Sequence, residues 1–234
     1  ADPHEDPILH VYSELCMQQW TETIETIRWN VVKAGTNVGY ANGTARSAVN
    51  TPITLAAQRT ATRALKRQRG RHITSIVSSN GNFRTEPIEA AYIAICHSDV
   101  ENDIRNMQGF IPTKQYGSGQ TAWPNEIGSV EDVRYMRSTL FTPIAGATGV
   151  TGASTTMVNT GGFADVYPVI YFAMNFYGIV PLKGKAAVSL MVVNPKPTAG
   201  DQLGQRGSVG WKTTQTAVIL NDLWGYRLEV AATL

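Results

Sequence analysis

Cys96 and His97 are adjacent in the chain and have the residue types that nucleophilic catalysis requires. A thiolate activated by an imidazole is the reactive pair of cysteine hydrolases. Successive side chains of a strand point to opposite faces, so the two cannot pair if Cys96 ends a strand. The sequence therefore predicts a core thiol followed by a surface or capping histidine.

Asp99, Glu101 and Asp103 could supply the carboxyl groups of general acid and base catalysis. In a helix, however, Glu101 lies four residues before Arg105 and forms a supporting pair, while Asp99 and Asp103 repel each other mildly. This pattern is typical of a solvated helix face. We interpret the three acids in that way.

Two glycine patterns resemble phosphate-binding loops, and both fail. In the segment 178–185 five residues rather than four separate the glycines that precede the lysine, and Ala186 stands where Ser or Thr would bind the metal. The GxGxxA pattern at 117–122 is followed closely by Pro124 instead of a helix. The four His residues show no metal-ligand spacing. The sequence predicts no catalytic residue, no cofactor and no metal.

A basic cluster is the one concentration of charge that could bind a partner. Its members recur at helical spacing along the predicted second helix and just beyond it: Arg59, Arg63, Lys66, Arg67, Arg69 and Arg71. A solvated helix face is the usual reason for such a run, and cations near a helix C-terminus also favour the helix dipole. The functional alternative is contact with a neighbouring subunit or with nucleic acid.

Composition narrows the class of protein. Of the 234 residues, only 16% are charged, against roughly 25% in soluble domains. This indicates a surface that is largely covered by partners. A net charge of +2 is too small for a protein held to nucleic acid by phosphate contacts alone. Two cysteines without metal spacing indicate a reducing compartment, and no apolar run is long enough to span a bilayer.

Two helices are predicted in the first third of the chain. Apolar residues recur at helical spacing from Pro7 to Ala34, with Asp6 as the N-cap and Gly35 as the left-handed residue at the end. The second helix is predicted over 51–69, with Thr51 as its cap and a glycine at its end. A third, short helix is predicted from a Ser98 to Glu101 capping box to Gly109.

Strands dominate the remainder. The predicted segments are rich in Val, Ile, Thr and aromatic residues and cover 72–77, 91–96, 133–138, 166–172, 186–193, 211–220 and 225–231. A glycine-rich segment at 145–162 is predicted to be a loop. Helices and grouped strands without βαβ regularity indicate an α+β fold.

Several separated segments together resemble one family. They are SDVENDIRNMQGFIPTKQYGSGQTAWPNEIGSVEDVRYMRS from Ser98, GTNVGYANGTARS at 35–47, DVYPVIYFAMNFYG at 165–178 and GDQLGQRGSVGWK at 200–212. In this order they resemble the major capsid proteins of tailed double-stranded DNA bacteriophages, with greatest similarity to the podophage branch typified by the phage N-four. The resemblance runs from about Asp6 to the C-terminus.

The resemblance implies the Hong Kong 97 type capsid fold, with a long spine helix, a peripheral domain and an axial domain. On this basis residues 1–35 form the spine helix of the peripheral domain, 36–165 mainly the axial domain, and 166–234 mainly the returning peripheral strands. It also implies an N-terminal arm and an extended loop ahead of the spine helix. We expect the chain as given to lack them and not to close a stable shell by itself.

The function implied is structural. Copies of the chain would form pentamers and hexamers of an icosahedral phage head that encloses double-stranded DNA, with no enzymatic activity. The implied partners are further copies of the chain, portal, scaffolding or decoration proteins, and packaged DNA in non-specific contact, but no membrane. The implied location is the virion, after synthesis in the host cytoplasm. Two alternatives stay open: a small hydrolase that uses Cys96 or an aspartate, and a DNA-binding module that uses the Arg59 to Arg71 cluster.

Overall fold

The computed structural model describes residues 8–77, 85–117, 122–148, 156–181, 188–194, 196–197, 200, 202–204 and 207–234. The helices in these ranges are α1 (Ile8–Lys33), α2 (Leu55–Arg67) and α3 (Glu101–Arg105). The strands are β1 (Val38–Tyr40), β2 (Ile73–Val77), β3 (Thr85–Cys96), β4 (Phe110–Pro112), β5 (Glu126–Val130), β6 (Val133–Arg137), β7 (Asn159–Thr160), β8 (Phe163–Ala164), β9 (Tyr167–Phe172), β10 (Tyr177–Pro181), β11 (Val188–Val193), β12 (Ser208–Thr213), β13 (Gln215–Ile219) and β14 (Gly225–Val230). The predicted α+β content is confirmed.

The chain divides into two compact units. The ribbon unit contains Ala1–Asn30 and Gly178–Val218, and the sheet unit contains Val31–Tyr177 and Ile219–Leu234. Several predicted features lie outside the described residues: the Asp6 cap, the lysine of the 178–185 pattern, the middle of the GxGxxA pattern, and part of the 145–162 segment.

The sheet unit is built on an eight-stranded mixed sheet of order β1-β14-β9-β3-β6-β5-β4, with β2 paired to β3. β1 runs parallel to β14 and β3 runs parallel to β6, whereas the other neighbours are antiparallel. All six residues of β9 are buried. Its Tyr167, Val169 and Tyr171 join Leu65 of α2 in the main core, as expected for a central strand covered on its faces.

The second helix begins later than predicted. Its N-cap is Thr54, whose hydroxyl accepts a hydrogen bond from the Ala57 amide at 3.3 Å, so the prediction of Thr51 as the cap was wrong. Thr51 and Pro52 precede the helix in irregular backbone. Both threonines suit an N-cap by residue type. The choice between them depended on the approach of the chain to the sheet, because the Thr51 carbonyl accepts a hydrogen bond from the Ala231 amide at 3.0 Å, a usual amide distance.

At the other end of α2 the chain forms a Schellman motif. The Gly70 amide donates to the Leu65 carbonyl and the Arg69 amide to the Lys66 carbonyl, both at 3.0 Å. The left-handed residue is Arg69, with φ 56°. Gly70 is required for another reason, because a Cβ there would lie 2.9 Å from the Cβ of Ala173.

The first helix is confirmed as a long element of 26 residues. Gly35 does not have the predicted left-handed conformation. Instead, a Cβ on it would lie 2.9 Å from the Asp222 carboxylate, which accepts the Thr36 amide at 3.0 Å. The glycine is therefore needed for the close approach of the Asp222 side chain, and not for a left-handed residue at the end of the helix.

In the ribbon unit, β11 pairs antiparallel with β12, and β10 pairs with β13. The segment 211–220, predicted as one strand, is divided between β12 and β13 at Thr214. Helix α1 leaves much of its predicted apolar face uncovered, since Val11, Tyr12, Leu15 and Ile27 are about half exposed while Ile24 is buried.

The predicted capping box at Ser98 is wrong. The cap is His97, whose Nδ1 accepts the Asp99 amide at 3.2 Å and opens a short 3-10 turn before α3. Glu101 cannot return to the Ser98 amide because its carboxylate binds Arg105. The helix ends at Arg105 rather than near Gly109, and β4, β5 and β6 occupy much of the segment that follows.

Candidate assembly and anion-binding surfaces

The cysteine and histidine pair is excluded as a nucleophilic site by its geometry. Cys96 is fully buried at the end of β3, where its Sγ lies 3.4 Å from the Met136 carbonyl oxygen. Burial raises the pKa of this thiol well above its usual range. His97 uses its Nδ1 as a helix cap. A thiolate at Cys96 is therefore suppressed, and the predicted core thiol with a capping histidine is confirmed.

The acids at positions 99, 101 and 103 have structural partners, and Asp103 contradicts the prediction of a solvated face. Asp103 is 7% exposed, so it is not on a solvated face. Its carboxylate accepts the amide of Thr233 at 3.0 Å and the hydroxyl at 2.5 Å, which fixes the C-terminal segment. Asp99 accepts the Tyr167 hydroxyl at 2.7 Å. Sequence spacing within the helix could not reveal these distant partners.

Glu101 holds two arginines. It accepts from Arg105 Nε at 2.8 Å, which confirms the predicted pair, and also from Arg137 on β6. Burial alone would raise the pKa of Glu101, but the hydrogen bonds from both guanidinium groups outweigh it, and the pKa lies below its ordinary value.

Two further carboxylates are buried in arginine networks. Glu229 on β14 is 0% exposed and accepts from Arg46 Nε at 2.7 Å and Nη2 at 2.6 Å. A second guanidinium, that of Arg227, lies 3.1 Å from Glu229 Oε1. The carboxylate of Glu126 is likewise enclosed and lies 3.2 Å from Arg134 Nε. These networks join separate strands and loops, and they present no free acid to a substrate.

A buried polar chain joins α2 to the sheet. Gln58 donates to the Val130 carbonyl at 2.8 Å and accepts the Tyr135 hydroxyl at 2.7 Å. The hydroxyl groups of Tyr135 and Tyr171 are 2.9 Å apart. Burial raises the pKa of both phenols, so they stay protonated. This chain satisfies polar groups in the core, as native interiors require.

The basic cluster lies on the exposed side of α2 and the residues just after it. All six members predicted from the sequence are exposed: Arg59, Arg63, Lys66, Arg67, Arg69 and Arg71. Four of them line an open groove together with Thr62 and Glu131. The structure thus places Arg59, Arg63, Lys66 and Arg67 on one surface.

Two cations of the groove are neutralised by the β5–β6 turn. Arg59 Nε donates to Glu131 Oε1 at 3.0 Å, and Lys66 binds Asp132. The hydrogen bond from Arg59 lowers the pKa of Glu131. Glu131 has φ 50°, a conformation that glycine usually supplies in a two-residue hairpin turn. In the described residues neither Arg63 nor Arg67 forms an ion pair.

The second candidate surface is apolar. Along β11, Leu190, Met191, Val192 and Val193 are 39–56% exposed. Since successive side chains of a strand point to opposite faces, apolar groups are uncovered on both sides of this ribbon. Val180 and Val218, on the other strand pair of the ribbon unit, are 57% and 46% exposed. Exposed apolar groups at this density mark interaction surfaces.

Neither a metal nor a membrane span is indicated by the described residues. No group of three or more His, Cys, Asp or Glu side chains in them could hold a metal ion. None of the helices described is long and apolar enough to cross a bilayer.

The architecture matches solved bacteriophage capsids. No family model and no curated protein matches the sequence. The structural neighbours, however, define the class: the chain has a bacteriophage capsid fold. A chain from the acid-stable capsid of Helicobacter pylori bacteriophage KHP30 aligns with a TM-score of 0.57 and 11% identity, over 97% of this chain and 69% of that one.

Two further neighbours agree. A chain from the capsid of the cyanophage P-SCSP1u aligns with a TM-score of 0.51 and 12% identity, over 98% of this chain and 67% of that one. A chain from the head of Helicobacter pylori bacteriophage KHP40 gives a TM-score of 0.50 and 10% identity, over 97% and 68%. At such identities the comparison shows a shared fold.

Proposed function

We propose that this chain is a major capsid protein, a structural subunit of which many copies form a bacteriophage head. The observation that carries the proposal is the alignment of 97% of the chain with a subunit of the KHP30 capsid. Since one fold can serve unrelated functions, the surfaces of the chain must also suit assembly. The proposed partners are further copies of the chain, arranged as pentamers and hexamers of an icosahedral shell around double-stranded DNA.

The exposed apolar residues support this role. Met191 and Val193 share one face of β11, and each is more than half exposed. On the paired strand Gly210 and Ser208 lie opposite them and offer little cover. Burying such residues against another copy would stabilise the contact by roughly 25 cal/mol for each Å² of apolar area. A shell repeats that contact at every subunit.

The distribution of reactive groups also supports a structural role. The buried acids Glu229, Asp165 and Asp103 all have hydrogen-bond partners in the sheet unit, and the thiol of Cys96 is enclosed. A small hydrolase based on Cys96 is disfavoured because its thiol is both inaccessible and protonated. We propose that the chain has no enzymatic activity.

Finer features of the proposal come from the family resemblance. They are the podophage branch typified by N-four, the Hong Kong 97 type arrangement with α1 as the spine helix, and the division into peripheral and axial domains at 1–35, 36–165 and 166–234. Portal, scaffolding or decoration proteins are proposed as further partners. The virion is the proposed location, after synthesis in the host cytoplasm.

Electron microscopy and sedimentation of the purified protein test the proposal. We expect ring-shaped capsomers or other small oligomers whose number grows with protein concentration. The variant Met191→Glu/Val193→Glu should shift the protein toward monomers, because charged groups would be buried at each contact. The matched control Met191→Leu/Val193→Ile keeps the apolar surface and should assemble like the parent. A protein that stays monomeric at every concentration, or charged variants that assemble normally, would contradict the role assigned.

A further inference from the structure

The basic cluster on and just after α2 carries more positive charge than the whole chain. The cluster contains six cations and faces two carboxylates, Glu131 and Asp132, which leaves an excess of four. The remaining 14 cations and 16 acids give the rest of the chain a net charge of −2. The small net charge of the chain therefore hides an uneven distribution of charge, with the positive excess concentrated in the cluster. A local positive potential of this kind attracts anions.

Helix stability explains only part of this cluster. Lys66 and Arg67 lie in the last turn of α2, where cations interact favourably with the helix dipole. Arg63 lies one turn earlier, and Arg69 and Arg71 lie beyond the helix. The dipole effect is confined to the last turn, so these three arginines gain little from it.

Within the described residues, the members of the cluster that form no ion pair are all arginines. Arg59 and Lys66 are neutralised by the β5–β6 turn, whereas Arg63 and Arg67 are exposed neighbours at a spacing of four residues with no ion pair in the described part of the chain. A guanidinium presents a planar fork of donors that matches phosphate oxygens. The two groups thus have the donor chemistry that an anion-binding pair requires.

Aromatic side chains beside the cluster are already engaged. The indole of Trp224 donates to the Gln68 carbonyl at 3.0 Å, and the buried Tyr92 donates its hydroxyl to the Gly70 carbonyl at 3.0 Å. Single-stranded nucleic acid requires exposed aromatic rings on which bases stack. Tyr92 is buried, and Trp224 is half-buried and packed against the main core, so the two rings do not form a stacking platform and the chemistry favours the phosphates of a duplex.

We infer that the α2 groove binds the phosphate backbone of double-stranded DNA without reading its sequence, with Arg63 and Arg67 as the principal contacts. Arg69 and Arg71 extend the positive surface. The inference deepens the proposed function and rests on it for the biological setting, since a shell subunit would meet the DNA that the shell encloses.

The test measures binding of a fluorescent 20-base-pair duplex by anisotropy over a series of salt concentrations. Four unpaired cations predict a slope of log Kobs against log salt near −3.6, with Kd of about 10⁻⁴ to 10⁻⁶ M at physiological salt. The variant Arg63→Gln/Arg67→Gln removes two charges with little change of helix propensity, and the slope should become shallower by about 1.8.

The matched control Lys114→Gln/Lys212→Gln removes two exposed cations outside the cluster and should keep the parental slope. Two unrelated duplex sequences should bind within about tenfold of each other, because phosphate contacts carry no sequence information. Circular dichroism should show that both variants are folded.

Sedimentation of the same variants separates this inference from the proposed function. We expect Arg63→Gln/Arg67→Gln to assemble as the parent does while losing DNA affinity. Normal assembly without any DNA binding at 50 mM salt would overturn the inference alone. If the variant loses assembly but keeps its DNA slope, the groove is a contact between copies and the inference is wrong. The inference would also be overturned if Lys114→Gln/Lys212→Gln reduced the salt slope of DNA binding as much as Arg63→Gln/Arg67→Gln does.

Discussion

The buried carboxylate of Glu229 is predicted to be a principal electrostatic support of the sheet unit. It is 0% exposed and receives two hydrogen bonds from Arg46, with Arg227 at 3.1 Å. Through these contacts it connects β14 to the loop before α2. The substitution Glu229→Gln keeps the shape of the side chain but removes its charge, and it places an amide NH₂ group against donors.

The expected cost follows from the surroundings. Removing one partner of a buried ion pair destabilises proteins by about 3–5 kcal/mol. The Arg46 side chain is 39% exposed and can regain water, whereas that of Arg227 is 16% exposed and cannot do so as readily. We therefore expect the lower end of the range, about 3 kcal/mol of the free energy of unfolding.

Urea denaturation at pH 7, followed by circular dichroism, measures this cost. With an m-value near 3 kcal/mol/M, the expected loss moves the midpoint by about 1 M. The control is Glu25→Gln, the same chemical change in a half-exposed pair with Arg28 on α1, in which the Glu25 side chain is 42% exposed and for which we expect about 0.5 kcal/mol or less. Equal effects of the two substitutions would refute the reasoning, since burial would then have no energetic consequence.

Three further predictions concern other supports of the fold. Because the pKa of Glu101 is lowered by folding, its contribution is present above the unfolded pKa of about 4.3 and is lost as pH falls through the folded value. Glu101→Gln should therefore flatten the acid limb of a stability curve from pH 6 to 2, and an unchanged limb would contradict this. Tyr135→Phe leaves the Gln58 side-chain oxygen buried without its donor and should cost about 1–3 kcal/mol in urea unfolding. Gly225→Ala would place a Cβ 2.2 Å from the Phe176 ring and should lower the melting temperature by several degrees, as overpacking costs about 1–3 kcal/mol.

The corrections at helix ends share a physical cause. At α2 the sequence offers Thr51 and Thr54 as caps, and at α3 it offers Ser98 although His97 is used. Thr51 and Thr54 are the same residue type, and before α3 the preferred type, serine, is not the one used, so propensity alone did not identify either cap. Contacts with residues distant in sequence decided which residue caps each helix; Glu101, for example, accepts a hydrogen bond from Arg137 instead of taking part in a capping box.

The sequence by itself determined the elements that depend on local patterns. The 26-residue helix follows from apolar spacing, and the buried strand β9 follows from a continuous run of apolar and aromatic residues. The basic cluster is also a local pattern, because its members follow one helix. The family resemblance was likewise available from the order of separated segments, and the capsid fold of the structural neighbours agrees with it.

Only the tertiary structure decided which charges of the chain are free. Arg59 and Glu131 are 72 residues apart in sequence, and Arg46 and Glu229 are 183 apart. No local spacing brings such pairs together, since their contact depends on the sheet order and on the position of α2. From the sequence alone, the six cations could not be told apart. In the folded chain Arg59 and Lys66 form ion pairs, whereas Arg63 and Arg67 form none among the described residues.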